Sequence, residues 1–183
     1  MIRGAELASR VGIAQATADY MGMLGTVINA LALKEAIEKQ GQPARVMSAL
    51  EIESVSEPFI RARALRHFEK GRVLILAAGT GNPFFTTDTC ASLRAIELEA
   101  DILLKATKVD GVYDCDPMQN EHAKKYDTLT FTDTITKQLG VMDLTALSMC
   151  MEHNLPIVVF NFKEDGNICK VVGGDTIGTL VNN

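Results

Sequence analysis

Residues 77–90, A-A-G-T-G-N-P-F-F-T-T-D-T-C, follow directly on the apolar run R-V-L-I-L. Gly79 and Gly81 permit tight turning and close backbone approach. Thr80, Gly81, Asn82 and Pro83 make the turn, and Phe84 and Phe85 can wall or stack on a flat base. Thr86 or Thr87 can cap a following helix, whose first N–H groups then point into the loop. Such N-termini attract anions, phosphates above all. The stretch therefore has parts for a phosphate and a base together. Asp88 fits there if it steadies an arginine or orders water around a metal ion; otherwise it complements the helix dipole. An ordinary strand-to-helix turn has a similar composition.

A second candidate is K-A-T-K-V-D-G-V-Y-D-C-D-P, residues 105–117. Lys105, Thr107 and Lys108 can serve a phosphate, and Tyr113 can pack on a base. Asp110, Asp114 and Asp116 invite comparison with a calcium loop, but the glycine and the distal glutamate are not where that loop needs them. The alternative is a strand, a loop and a hairpin with solvated charges. Asp143 opens a helix inside an apolar run, as a cap or as a carboxylate that holds a catalytic lysine. Asp19, near the start of a long helix, either complements the dipole or accepts hydrogen bonds from sugar hydroxyls. Arg3 suits bidentate phosphate contact, or is a surface arginine. His67, His122 and His153 lack ligand spacing, and no G-x-S-x-G elbow or convincing cysteine nucleophile is present, so triad hydrolysis is set aside.

Apolar strands alternating with helices must position these residues. Residues 17–40 read as a long helix ended by Gly41, 44–48 as a strand, and 57–70 as an amphipathic helix closed by Gly71. The run 72–77 reads as a strand buried on both faces, followed by a helix from Thr87 to Glu99 and a strand at 101–106. An irregular stretch leads to helices at 131–139 and 143–153 and strands at 156–161 and 178–181. The order implies an α/β fold with a mostly parallel sheet, and ligands in such sheets sit beyond strand carboxyl ends, where both candidates lie. In the first helix, Met21, Met23, Leu24, Val27, Ile28, Leu31 and their apolar neighbours exceed one stripe, so a second partner is expected, most simply another subunit.

The chain's 183 residues, 47% hydrophobic and 22% charged, suit one soluble domain with a full core. A net charge of −5 and the absence of Trp argue against a nucleic-acid partner. The four dispersed cysteines suit a reducing cytoplasm and argue against a zinc site, and no run is long enough for a membrane span.

Taken together, I-R-G-A-E-L-A, A-D-Y-M-G-M-L-G-T-V-I-N-A-L-A-L, A-G-T-G-N-P-F-F-T-T-D, A-T-K-V-D-G-V-Y-D-C-D-P and V-M-D-L-T-A resemble the bacterial uridylate (UMP) kinases of the amino-acid kinase fold family. The resemblance covers nearly the whole chain. It implies a three-layer α/β/α sandwich with a mostly parallel central sheet, and transfer of the ATP γ-phosphate to UMP with Mg²⁺ as cofactor. It implies that Asp19 meets the ribose of UMP while Thr80 through Thr87 surround base and phosphate. Arg3 would neutralise phosphates, with Asp88 organising Arg3 and water. Thr107, Tyr113 and Asp116 would take ATP, together with Arg3, and Asp143 would help place a catalytic lysine. No metal-ligating residue of the protein is assigned. A homohexamer in the cytoplasm is implied, with neither a nucleic-acid nor a membrane partner.

One departure bears on this. Such kinases begin with a K-L-S-G strand, a helix and a second strand leading to a G-G-G-N loop, whereas this chain opens at M-I-R-G. The expected organisation is one amino-acid kinase domain over 1–183 without its N-terminal strand–helix–strand segment, from a misplaced start in a normal kinase rather than a naturally short protein. The alternative function is a truncated, non-catalytic UMP/UTP-binding module. A third reading, a different amino-acid kinase, fits the N-P-F-F-T-T-D loop less well.

Overall fold

The computed structural model describes residues 12–117, 119–120 and 122–183. The chain divides into two compact units, residues 1–90 and 91–183. Arg3 lies outside the described residues.

In the first unit, helix α1 (Gln15–Lys39) precedes strands β1 (Ala44–Ser48) and β2 (Glu57–Pro58), helix α2 (Arg61–Glu69) and strand β3 (Val73–Ala77). The sheet order is β2-β1-β3, and both pairings are parallel. Met23, Val27 and Ala30 of α1 recur at helical spacing and bury against Val46, Ala77 and Ala78. Tyr20, Leu24, Ile28 and Leu33 of the same helix are exposed, Ile28 at 70%. The apolar surface of α1 is therefore wider than its own unit covers.

Two expectations for this unit need correction. The helix expected over 57–70 starts only at Arg61, because Pro58 disfavours helical geometry at Glu57 and both residues pair with Met47 and Ser48 as β2. The run 72–77 is not buried on both faces: only Ala77 is buried and Val73 is exposed. Among the described residues β3 pairs on one side alone, which leaves its far edge open.

Helix α3 (Thr87–Glu97) carries the chain into the second unit. There follow β4 (Leu103–Thr107), β5 (Val112–Tyr113), β6 (Lys125–Tyr126), β7 (Thr128–Thr130), α4 (Phe131–Thr136), α5 (Leu144–Glu152), β8 (Ile157–Asn161), α6 (Asn167–Val172) and β9 (Thr179–Asn182). The main sheet runs β4-β8-β9-β7, with β4–β8 and β7–β9 parallel and β8–β9 antiparallel. Its core gathers Leu129, Phe131, Leu147, Cys150, Ile157, Val159 and Val181. The stretch between β4 and α4, without periodicity in sequence, contains the antiparallel pair β5–β6 and strand β7, elements too short for periodicity to reveal. Among the described residues no helix is long and apolar enough to cross a membrane.

Candidate functional site

In the first unit the loop after β3 is built by backbone conformation. Ala78 has φ 65° and is fully buried; its N–H donates to Thr26 Oγ1 at 2.8 Å, and that hydroxyl donates to the Met23 carbonyl at 2.6 Å. The loop's entry is thereby bolted to α1. Gly81 has φ 81°, and a Cβ there would lie 3.1 Å from the Ala49 carbonyl oxygen. The positive φ favours glycine, and the close approach to Ala49 leaves a side chain little room. Two local bonds join Asn82 to Thr80: Asn82 N–H donates to Thr80 Oγ1 at 3.2 Å, and the Asn82 amide donates to the Thr80 carbonyl at 3.4 Å. Phe84 is held at φ 70°, a costly conformation for a bulky side chain, and its N–H donates to Asp19 Oδ2 at 2.9 Å.

Asp19 thus acts inside the protein as a clamp on the loop. Its other oxygen accepts from Gln15 Nε2 at 2.7 Å. Of the two roles read for it, dipole complementation does not apply, since Asp19 lies beyond the first turn of α1, which carries no acidic residue. Phe84 and Phe85 project into solvent at 75% and 55% exposure. Thr86, not Thr87, caps α3: its Oγ1 accepts from Thr89 N–H at 3.1 Å. Asp88 occupies the first turn of that helix. The loop consequently presents two apolar rings, threonine hydroxyls and a capped helix N-terminus side by side. Pro83 lies between the Thr80–Asn82 turn and Phe84.

In the second unit a pocket of about 400 Å³ opens where β4 and β5 end. Lys105, Thr107, Tyr113, Asp116, Gly140 and Val141 are among its walls. Lys105 Nζ donates to the Val141 carbonyl at 2.6 Å, tying β4 to the loop before α5. Thr107 Oγ1 donates to Val109 O at 2.7 Å and accepts from Val109 N–H at 3.2 Å, closing the turn after β4. Tyr113 donates its hydroxyl proton to Asp110 Oδ1 at 2.6 Å. That bond holds the Asp110 carboxyl below its ordinary range and pushes the Tyr113 phenol up. Asp116 is exposed at the rim, and its carbonyl accepts from the N–H groups of Gln119 and Asn120. Asp143 is the N-cap of α5: Oδ1 accepts from Ala146 N–H at 3.0 Å.

A model of the amino acid kinase family matches residues 3–161. The chain belongs to the amino acid kinase family. Among solved structures it is similar to UMP kinase from Bacillus anthracis, with 40% identity and TM-score 0.94, covering 97% of this chain and 74% of that one. UMP kinase from Ureaplasma parvum matches with 38% identity and TM-score 0.93, over 97% of this chain and 76% of that one. Uridylate kinase from Archaeoglobus fulgidus matches with 29% identity and TM-score 0.73, over 96% and 77%. The mixed α/β architecture with parallel-rich sheets is the amino-acid kinase fold, in a chain shorter than these structures.

In this member of the amino acid kinase family the sequence-chosen residues fall into two groups. Asp19, Thr80, Gly81, Asn82, Pro83, Phe84, Phe85, Thr86, Thr87 and Asp88 belong to the first unit, and Thr107, Tyr113, Asp116 and Asp143 to the second. Sequence reasoning did not single out Thr26 or Thr179. Thr179 is fully buried; its Oγ1 accepts from Val112 N–H at 2.8 Å and donates to the Tyr126 carbonyl at 2.5 Å. It thereby hangs the β5–β6 pair, and with it Tyr113, from β9. Partners 67 and 53 residues away leave no local signal in the chain. Among the described residues no three His, Cys, Asp or Glu side chains gather into a metal site.

Proposed function

We propose that this chain is a UMP kinase, transferring the γ-phosphate of ATP to UMP to give UDP in pyrimidine nucleotide biosynthesis. The observation that carries the proposal is the loop after β3. Gly81 packed on Ala49 and Asp19 holding Phe84 N–H keep it in one strained shape, in a chain 38–40% identical to two UMP kinases over 97% of its length. Thr80 through Thr87 receive UMP, with Asp19 at its ribose. Asp19 keeps acceptor capacity for a hydroxyl, since each oxygen of a carboxylate can accept more than one bond.

The pocket in the second unit takes ATP, with Thr107, Tyr113 and Asp116 against it. Arg3 and Asp88 act on the phosphates, and Asp143 combines its capping bond with the placement of a cationic group. Phosphoryl transfer asks mainly for alignment and charge neutralisation, which such groups supply. Mg²⁺ enters with ATP; it is held largely by phosphates and water and needs no all-protein cage. Both units form one domain spanning residues 1–183, and the protein is cytoplasmic. It assembles as a homohexamer, for which the exposed Tyr20, Leu24 and Ile28 of α1 supply apolar surface.

The test is ATP-dependent UDP formation from UMP by the 183-residue chain, with CMP, acetylglutamate and aspartate as rival acceptors. Preference for UMP is expected. Preference for another acceptor overturns the proposal, and UMP binding without transfer replaces it with a non-catalytic UMP- or UTP-binding module.

A further inference from the structure

The pocket of the second unit contains Tyr113 but not Asp110 in its wall. Asp110 nevertheless accepts a hydrogen bond from the Tyr113 hydroxyl, at 2.6 Å. A charge-assisted bond of that length fixes the position of the phenol oxygen, and with it the direction in which the ring extends from the backbone. The carboxylate is itself held. Its second oxygen lies 3.6 Å from Lys125 Nζ, on the strand that pairs with Tyr113's own. The backbone between the two is pinned as well. A Cβ at Gly111 would lie 2.6 Å from Thr179 Oγ1 and 3.0 Å from Lys125 Cδ, and Val112 N–H is bound by the same Thr179 hydroxyl. Asp110, Gly111, Val112 and Tyr113 therefore form a bracket anchored on β6 and β9, with the tyrosine ring as its face toward the pocket.

We propose that Asp110 is a positioning residue for the phosphate donor: acting through the Tyr113 hydroxyl, it sets the ring against which the base of ATP is held. The proposal rests on the reading of this pocket as the ATP site. Two consequences follow from the geometry. Tyr113 spends its proton on Asp110, so toward a ligand it offers an aromatic face and an acceptor oxygen, not a donor. A flat purine gains from such a preset ring, because the rotamer is ordered before binding. Asp110 is also half-exposed, at 50% of its side chain, so the bond adds little to global stability and shows itself in ligand affinity.

The experiment compares the wild-type chain with Asp110→Ala, Asp110→Asn and Tyr113→Phe. Asp110→Ala is expected to raise the KM for ATP about tenfold, the scale of one charge-assisted hydrogen bond, with kcat and the KM for UMP changed less than about twofold. Tyr113→Phe keeps the ring and loses the anchor, so it should match Asp110→Ala, and the two together should do no more than either alone. Asp110→Asn retains an acceptor oxygen and should recover most of the affinity.

A readout independent of turnover is available, because the chain has three tyrosines and no tryptophan. Absorbance of the phenolate should show the Tyr113 phenol ionising above the ordinary tyrosine range, and Asp110→Ala should abolish that high-pH component. An unchanged KM for ATP in Asp110→Ala, with the high-pH phenol lost, overturns the proposal. So does a parallel loss of kcat and of both KM values, which marks a merely structural role. If the wild-type chain does not phosphorylate UMP, the proposed activity fails by itself. The positioning role is then read from calorimetric titration of the same four proteins with Mg-ATP, where the same tenfold ordering supports it and equal affinities sink it.

Discussion

The two candidate regions are built in different ways. The loop after β3 owes its shape mainly to backbone: Gly81 against Ala49, Ala78 and Phe84 at positive φ, and Thr86 capping the helix three residues on. The pocket after β4 is assembled by side chains from distant segments, with Thr179 holding Val112 and Tyr126, and Lys105 reaching Val141. The first region is thus sensitive to changes of backbone freedom, and the second to removal of single polar atoms.

The largest expected effect tests the support of the second region. A Cβ at Gly178 would fall 2.1 Å from the Val159 carbonyl oxygen, and φ there is 81°. Gly178→Ala should force β9 from β8 and cost about 3 kcal/mol or more, read as a fall in thermal midpoint. The matching test in the first region is Gly81→Ala. Ala49 must give way by only a few tenths of an ångström, so about 1–2 kcal/mol is expected, together with a rise in KM for UMP that exceeds any change in KM for ATP. Equal effects on both substrates would erase the contrast between the regions.

Next in size is Thr179→Val, which keeps the shape and deletes the hydroxyl. It leaves the buried Val112 N–H unpaired and should cost about 1–3 kcal/mol, with faster amide exchange at Val112. Thr86→Ala removes the cap of α3 and should cost about 1 kcal/mol in denaturant unfolding, restored in part by Thr86→Ser.

The smallest effect is a pH dependence. The Tyr113 hydroxyl, and after it Asp110's own backbone N–H and Lys125, hold the Asp110 carboxyl below its ordinary value of about 3.9. The resulting stabilisation is present above that value and is lost as pH falls through the lower folded value. The Tyr113 phenol is raised by the same bond, so its contribution is complete below about pH 10 and is lost above it. The stability difference between wild type and Tyr113→Phe should therefore be flat from about pH 5 to 9 and shrink at both ends. A difference that varies across neutral pH would rule out the pair as its source.

Local chemistry made the loop after β3 legible in advance. Gly79, Gly81, Asn82 and Pro83 announce a turn and Thr86 or Thr87 a cap, because a turn or a cap is satisfied within a few residues of the chain. The long helix and the apolar strands were legible for the same reason, their periodicity being local. Asp19 was chosen from sequence, but its bond to Phe84 N–H spans 65 residues and gives it a role that no spacing rule implies. Strands β2, β5, β6 and β7 are two or three residues long and take their conformation from the partner strand, not from their own composition.

By itself, then, the sequence determined the alternation of strands and helices, the glycine-rich turn between β3 and α3, and the apolar excess of α1. Tertiary structure alone decided that Glu57 and Pro58 pair as a strand, that Asp19 holds the Phe84 N–H, and that Asp110 accepts from Tyr113. The physical reason is range. Conformational preference and capping act over a few residues, whereas buried hydrogen-bond partners and steric exclusion of a Cβ exist only once remote backbone has been brought within about 3–4 Å.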